Sequence, residues 1–459
     1  MSQEPIPPAP TPATEATAQV TAGRFRRVLG VPSLVLFGLV YMVPLTVFTT
    51  YGIVTQLTGG RVASAYIITL VVMIFTARSY ARMSVAYPFA GSAYAYTQQS
   101  FGGAVGFLAG WALLLDYLFL PMINYLVLGL YMGASFPGIP SWLWVVGAIA
   151  IVTVLNIVGI VSIARANFVI IFVQVVFIAL FLAFAFAAAA GNGVDPLAPF
   201  AGDGTVDGLA PLFSGAAILC LSFLGFDSVS TLSEEAKDPT RTVPRAIMIA
   251  TISAGLLFIL LAYAAQVGFP SNDFASVDTA SIDVVTAVGG QLLASLFVAG
   301  YVAGCLGSAL TSQASVSRIL FAMGRDGVLP RAVFGRLNKR YGTPVVAILI
   351  VSAVSLLALV FDLTLLSEMI SFGALIAFSA VNLSVIKHYF IDRGERAGIL
   401  LLRNLILPLI GFGLTMWLWT SLSGRTFIVG LSWLALGVVI LAIVTRGFRR
   451  PTPKLDLKE

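Results

Sequence analysis

The sequence predicts an all-α polytopic membrane protein with about twelve transmembrane helices. Three observations carry that expectation. Hydrophobic residues make up 59% of the chain and charged residues 10%, which excludes an ordinary soluble domain. Apolar stretches of about 20 residues recur from end to end, each long enough to cross hydrocarbon as a helix. They are continuously rich in Leu, Ala and Val, where a membrane barrel would alternate over about ten residues.

Taken in order, the spans are expected near 33–56, 63–84, 104–131, 141–162, 165–190, 211–235, 246–268, 291–321, 344–361, 365–388, 401–421 and 427–445. The basic residues between them set the orientation. Arg24, Arg26 and Arg27 precede the first span, Arg78 and Arg82 end the second, and Arg165 opens the fifth. Lys237, Arg241 and Arg245 join the sixth to the seventh. The same side receives Arg318 to Arg340, Lys387 to Arg403 and Arg446 to Lys458, which leaves only Arg61 and Arg425 opposite. By the positive-inside rule both termini lie in the cytoplasm, so the number of spans is even. The net charge of +6 is therefore a matter of topology, and no nucleic-acid partner is expected.

The outer loops carry Asp195, Asp203, Asp207, Asp273, Asp278, Asp283 and Asp362. Two readings fit: an acidic vestibule that concentrates cations, or loops that simply translocate with ease.

Short loops leave room for one membrane domain, 23–445. Residues 1–22, rich in Pro, Ala and Thr and without an apolar core, read as a disordered cytoplasmic tail, not a signal peptide. Residues 446–459 form a second cytoplasmic tail. Short surface helices are expected in the outer connection 269–290 and in the basic segment 324–343. Enzyme signatures are absent: there is no HExxH, P-loop, GxSxG or paired cysteine, and no metal or cofactor is expected. Without a P-loop, a solute or proton gradient must drive any transport. Cys220 and Cys305 lie inside spans and read as small buried apolar residues. His388, the single histidine, ends the tenth span beside Lys387.

Two spans are interrupted. The first carries Pro44, which lacks a backbone donor and clashes with the preceding turn. The sixth carries Ser222-Phe223-Leu224-Gly225-Phe226-Asp227, with a glycine beside a charge inside an apolar run. The breaks are offset by five spans, an odd number, so the second unit enters the membrane from the opposite side. A proline kink alone marks no site, but paired breaks in opposed units mark an inverted repeat and a midplane binding site. The repeats are expected near 30–190 and 208–390, with two additional helices near 400–445 for packing or dimerisation. A monomer and a homodimer both stay open.

A carboxylate at membrane depth costs roughly 2.5–3.5 kcal/mol on insertion scales, so it needs a compensating role. Asp227 and Asp116, the latter in Gly110-Trp111-Ala112-Leu113-Leu114-Leu115-Asp116-Tyr117, are the deep pair. Each reads either as a structural anchor or as the partner of a cationic substrate or coupling proton. Tyr117 offers a ring face to an ammonium, or core packing. Glu368 sits near the outer end of the tenth span, where it snorkels or pairs locally. Glu234 and Glu235, close to Lys237, Arg241 and Arg245, suit inner-gate salt bridges. The first break has no glycine to free the N–H groups that would hold a substrate carboxylate. Its carbonyls suit an ammonium instead.

At these residues the chain resembles the amino acid–polyamine–organocation (APC) superfamily, and within it the putrescine importers of bacteria. The likeness spans about 30–445. It rests on Tyr41-Met-Val-Pro-Leu-Thr-Val-Phe48, Phe89-Ala-Gly-Ser-Ala-Tyr94, Gly110 to Asn124, Ser222 to Glu235, Ala314-Ser-Val-Ser-Arg318 and Met323-Gly-Arg-Asp-Gly-Val-Leu-Pro330. The resemblance implies a five-plus-five inverted repeat (the APC or LeuT-like arrangement) with broken helices 1 and 6. It also implies a central site between spans 1, 3, 6 and 8, and proton-linked uptake by alternating access. Spans 1, 2, 6 and 7 would rock as a bundle. Two departures stand out. Many proton-coupled relatives carry a lysine seven residues after an asparagine in span 5; here Asn167 is followed by Gln174. Coupling then falls on Asp116, Asp227 or Glu368. Some antiporters place a tryptophan before the Ser-Phe of span 6; here it is Leu221, which leaves any aromatic lid to Phe226 or Tyr117.

The expected function is import of putrescine or a related short diamine across the bacterial plasma membrane. Its nitrogens lie roughly 6 Å apart. Asp116 and Asp227 would take one end each, Tyr117, Phe223 and Phe226 would enclose the methylenes, and carbonyls near Val43 and Ser222 would complete the solvation. Thr46 and Gly225 complete the expected site at the two breaks. A cationic or neutral amino acid permease and a diamine–amino acid exchanger are the alternatives.

Overall fold

Pro44 and Gly225 divide two helices that would otherwise run unbroken across the molecule. In the computed structural model, residues 27–88, 92–159, 163–325, 329–338 and 340–447 are described. The 1–22 tail, Phe89 to Gly91, Asp326 to Val328 and 448–459 lie outside the described residues, as do the side chains of Arg165 and Asn167.

Among the described residues, eleven helices are long and apolar enough to cross a membrane. Spans 1 to 5 are Val31–Thr58, Val62–Ala86, Gly103–Ser135, Ser141–Val158 and Ile171–Gly191. Spans 6 to 8 are Ala210–Glu235, Pro239–Gly268 and Val277–Phe321, and spans 10 to 12 are Leu363–Asp392, Ile399–Thr420 and Gly424–Val444. A shorter apolar helix, Val345–Leu359, is the ninth of the twelve expected. The chain is a multi-pass, all-helical membrane protein. Gly290 (φ 70°) divides the helical run Val277–Phe321, and the part before it, from Ala280, is the short helix expected in 269–290, with Val284 and Val285 buried. In the basic segment a short helix, Arg331–Phe334, forms.

Span 1 is helical over Val31–Tyr41, breaks at Val43 and resumes over Val47–Thr58 after a 3₁₀ turn at Pro44–Thr46. The residue before a proline is pushed out of the helical region. Val43 adopts φ 47°, ψ 98°, a left-handed region costly for a β-branched residue. The Thr46 hydroxyl reaches the carbonyls of Met42 (3.0 Å) and Val43 (2.6 Å), groups that the break strips of helical partners.

Span 6 runs as helix over Ala210–Leu219, tightens to 3₁₀ over Cys220–Phe223, and becomes extended at Leu224. Gly225 has φ 130°, a region that essentially requires glycine. The chain resumes as 3₁₀ over Ser228–Glu235, where hydroxyls stand in for helical N–H donors. Ser228, Ser230, Thr231 and Ser233 each donate at 2.6 Å to the carbonyl three residues back. This ladder explains how Ser228, Ser230 and Ser233 stay buried.

The start of span 1 and the end of span 6 meet at one face. Val28 and Leu29 donate backbone N–H groups to the Glu235 carbonyl at 2.9 and 3.0 Å, and Lys237 N–H donates to the Leu29 carbonyl at 3.0 Å. The two broken spans therefore run in opposite directions. Spans 1, 2, 6 and 7 pack together; span 8 packs against spans 3 and 5, and span 10 bridges spans 2, 3 and 6. Spans 11 and 12 lie outside, against spans 10, 2 and 3.

Arg78, Arg82, Arg245 and Arg403 cluster at one face, called basic below. On the opposite, acidic face both arginines are engaged. Arg61 donates to the carbonyls of Thr58 (2.7 Å) and Val206 (2.8 Å), and Arg425 pairs with Asp362 at 3.2 Å.

Candidate functional site

Unwinding spans 1 and 6 at the same depth opens a cavity of ≈ 260 Å³ between them and spans 3, 5 and 8. Span 1 contributes Tyr41, Met42, Val43, Thr46 and Thr49; span 6 contributes Leu221 and Leu224. Asn124 comes from span 3 and Gln174 from span 5. Span 8 adds Tyr301, Ser308, Thr311 and Ser312 among glycines. Asn124 donates to Ser308 at 3.0 Å and joins spans 3 and 8. Gln174 is buried and lines the cavity with its amide free of partners among the described residues.

Aromatic rings seal the cavity toward the acidic face. Phe48 packs on Phe177, Phe181 and Phe297 with centroids 5.1–5.9 Å apart. Its carbonyl accepts from Tyr131 at 3.1 Å and from Ser281 at 2.6 Å, and Thr49 hydrogen-bonds Tyr301. The cavity lies on the basic side of this plug, reaching Phe37 and Val40 of span 1.

Among the described residues, no carboxylate lines the cavity itself. The two deep acids stand beside it, with Tyr41 at the boundary: it lines the cavity and feels the charge of both Asp116 and Asp227. Tyr117 feels both as well, and Tyr80 and Tyr96 feel Asp227. Asp116 also feels the charge of Asp227. The result is a buried acid pair among four tyrosines.

The two acids differ in their bonding. Asp227 accepts from the Gly225 N–H at 3.2 Å and from the Ser92 hydroxyl at 3.4 Å, so it holds its own break in shape. Asp116 is 7% exposed, and its Oδ1 has no hydrogen-bond partner among the described residues. A buried carboxylate oxygen without a donor calls for an explanation.

The expected residues thus divide. Val43 and Thr46 line the cavity, and Asp116, Tyr117 and Asp227 are gathered at its edge. Gly225 backs onto Tyr41 and Met42. Ser222, Phe223 and Phe226 do not reach the cavity. Ser222 bonds the Tyr66 hydroxyl at 2.9 Å, Phe223 packs on Phe258 at 5.3 Å, and Phe226 packs on Tyr80 and Phe378 at 5.5 and 5.2 Å. The 3₁₀ turn and the extended Leu224 turn these side chains into the interior of the bundle. Glu368 accepts from the Ser423 and Thr426 hydroxyls, the latter at 2.5 Å, and ties span 10 to the start of span 12. Of the residues expected at the gate, Arg241 pairs with Asp238 at 3.7 Å.

Sequence reasoning missed Tyr301, which lines the cavity, and Tyr80 and Tyr96, which stand near Asp227. It cited Gln174 for the lysine it replaces, not for its amide. The signal for the span 8 wall was present as small and hydroxyl residues from Gly304 to Ser312, where a lipid-facing helix carries large apolar ones.

A model of the amino acid permease family matches residues 33–444. The low-affinity putrescine importer PlaP of Escherichia coli K12 is 41% identical over 451 residues, covering 96% of this chain and 98% of that protein. The branched-chain amino acid permease BcaP of Bacillus subtilis is 25% identical over 447 residues, covering 92% and 93%. The methylthioribose transporter of Bacillus subtilis is 26% identical over 461 residues, covering 95% and 97%. With the family match running from the first span to the last and a full-length relative at 41% identity, the chain belongs to the amino acid permease family, within the superfamily its motifs resemble.

Proposed function

We propose that this protein imports putrescine or a related short diamine across a bacterial plasma membrane, with both termini in the cytoplasm. The observation that carries the reading is the oxygen of Asp116 without a partner among the described residues, buried near a second carboxylate, Tyr41 and Tyr117, with Tyr41 lining a cavity between two helix breaks. An ammonium satisfies Asp116 and gains from the ring faces around it, each worth about 0.5–2 kcal/mol. The full-length likeness to PlaP points to the same class of cation.

Asp116 takes one ammonium. The other end of a four-carbon diamine extends past Tyr41 into the cavity, where the Thr46 and Tyr301 hydroxyls and the amides of Asn124 and Gln174 solvate it. Asp227 holds the break in span 6 and adds negative potential. Proton coupling rests on Asp116 and Asp227, because Glu368 is committed to spans 10 and 12. Closing the aromatic plug around Phe48 shuts the acidic face, and the substrate leaves toward the basic face.

The test is uptake of radiolabelled putrescine into proteoliposomes with and without an inward proton gradient. Uptake that rises with the gradient and disappears in Asp116→Asn supports the reading. Absence of putrescine uptake together with uptake of labelled branched-chain amino acids replaces it with a neutral amino acid permease.

A further inference from the structure

Four arginines face a second, open groove of ≈ 460 Å³ at the basic face, where spans 2, 7 and 11 meet: Arg78, Arg82, Arg245 and Arg403. This groove is separate from the substrate cavity and shares no lining residue with it. Its charge is poorly compensated. Arg82 donates to Asn404 at 2.6 Å, lies 3.9 Å from Glu395 and covers the Tyr389 ring at 4.0 Å. Arg78, Arg245 and Arg403 have no ion-pair partner among the described residues, and Arg78 Nε is buried without a hydrogen bond. The Arg78 guanidinium also feels the like charges of Arg403 and Arg82. Packed cations left unpaired at the end of membrane helices need an anion.

The rest of the groove says what kind of anion. Its other walls are apolar: Val85 on span 2, and Pro244, Met248 and Ile249 on span 7. From Arg245, the exposed residues Ile249, Ile252, Leu256 and Leu260 recur at helical spacing and share one face of span 7. At 1.5 Å per residue that stripe runs roughly 22 Å away from the arginine. On span 2, exposed Val71 and Ile67 continue the face that carries Arg78. Two apolar tracks thus leave one cationic head site.

We propose that this groove binds an anionic diacyl phospholipid, with its phosphate between Arg78, Arg245 and Arg403 and its chains along spans 7 and 2. Guanidinium is suited to this role: it is weakly hydrated, always charged and able to bind phosphate in two-pronged fashion. Basic pockets between membrane helices are where anionic headgroups dock. The bound lipid bridges span 11 to spans 2 and 7.

The test uses the full-length protein in detergent. Native mass spectrometry counts retained phosphatidylglycerol against phosphatidylcholine, and thermal unfolding is followed with each lipid and with inorganic phosphate. Phosphatidylglycerol is expected to be retained preferentially and to raise the midpoint. Arg78→Gln and Arg245→Gln should each cut retention about fivefold. Arg241→Gln, on the same face but outside the groove, should leave it unchanged. If Arg78→Gln does not fold, Arg403→Gln on the outlying span carries the comparison. Equal retention of the two lipids, or loss of preference in Arg241→Gln to the same degree, overturns the proposal. So does stabilisation by inorganic phosphate equal to that by the lipid.

Discussion

Gly225 stands against Tyr41: a Cβ built at Gly225 would lie 2.7 Å from Tyr41 Cδ1 and 3.0 Å from the Met42 nitrogen. The two helix breaks are thus in direct contact, and the absence of a side chain on one permits the approach of the other. Gly225→Ala meets both this clash and a φ of 130°. We expect it to lose about 1–3 kcal/mol of stability from strain alone and to lose most of its uptake. Thermal unfolding and putrescine uptake on the same preparation check this; an alanine variant with normal values in both shows that the contact is dispensable.

The two deep aspartates should separate by what their loss disturbs. Asp227→Asn weakens bonds from Gly225 and Ser92, so its melting temperature should drop along with uptake. The stability lost should be about 1–3 kcal/mol. Asp116→Asn removes a carboxylate that has a partnerless oxygen. It should leave the melting temperature unchanged or higher while uptake falls at least about tenfold, the factor for roughly 1.4 kcal/mol. Identical behaviour of the two variants contradicts this division.

Thr46 bridges the carbonyls exposed by the first break. Thr46→Val keeps the shape and removes the hydroxyl, at an expected loss of about 1–3 kcal/mol. Thr46→Ser restores the donor and should recover both stability and uptake. A serine variant as impaired as the valine variant points to the methyl group instead.

At the acidic face, Asp203 accepts from the Thr205 hydroxyl and amide and from Asn272 Nδ2, and its N–H donates to the Gly59 carbonyl. The Thr205 hydroxyl above all holds the Asp203 carboxyl below the usual carboxylate range. A carboxylate with a lowered folded pKa stabilises the protein above its unfolded pKa, and that contribution is lost as pH falls through the folded value. Melting temperatures from about pH 6 down to about pH 3 should therefore decline more steeply in the native protein than in Asp203→Asn. Parallel curves would assign the loop's acid sensitivity elsewhere.

Glu368 fastens the outlying span 12 through Ser423 and Thr426. Glu368→Gln should lower the melting temperature and leave the dependence of uptake on the proton gradient intact. Loss of that dependence at unchanged stability would make Glu368 the coupling residue.

Much of this was legible in the residues themselves. Pro44 announces its break because a missing N–H cannot be hidden, and Gly225 announces the other because a glycine beside a charge has no helical purpose in oil. Asp116 was legible for the same reason. Side-chain directions at the breaks were not. A regular helix advances by a fixed rotation per residue, but Phe223 and Phe226 flank an extended residue and lie across a change of helix type, so counting along the chain misassigns where they point. Tyr80 and Tyr96 were hidden differently: on span 2 and on the short helix Ser92–Phe101 ahead of span 3 they look like ordinary packing, and only the fold brings them near Asp227.

The backbone clasp between Val28, Leu29, Glu235 and Lys237 makes the entrance of one broken helix and the exit of the other a single hinge leaf. Parting them severs three main-chain bonds, at about 0.5–1.5 kcal/mol each. A release route at this end is therefore opened more easily by swinging both halves together, away from spans 5 and 8, than by peeling either half alone. Shortening the chain before Val28 and shortening it past Leu29 would then have very different effects on turnover.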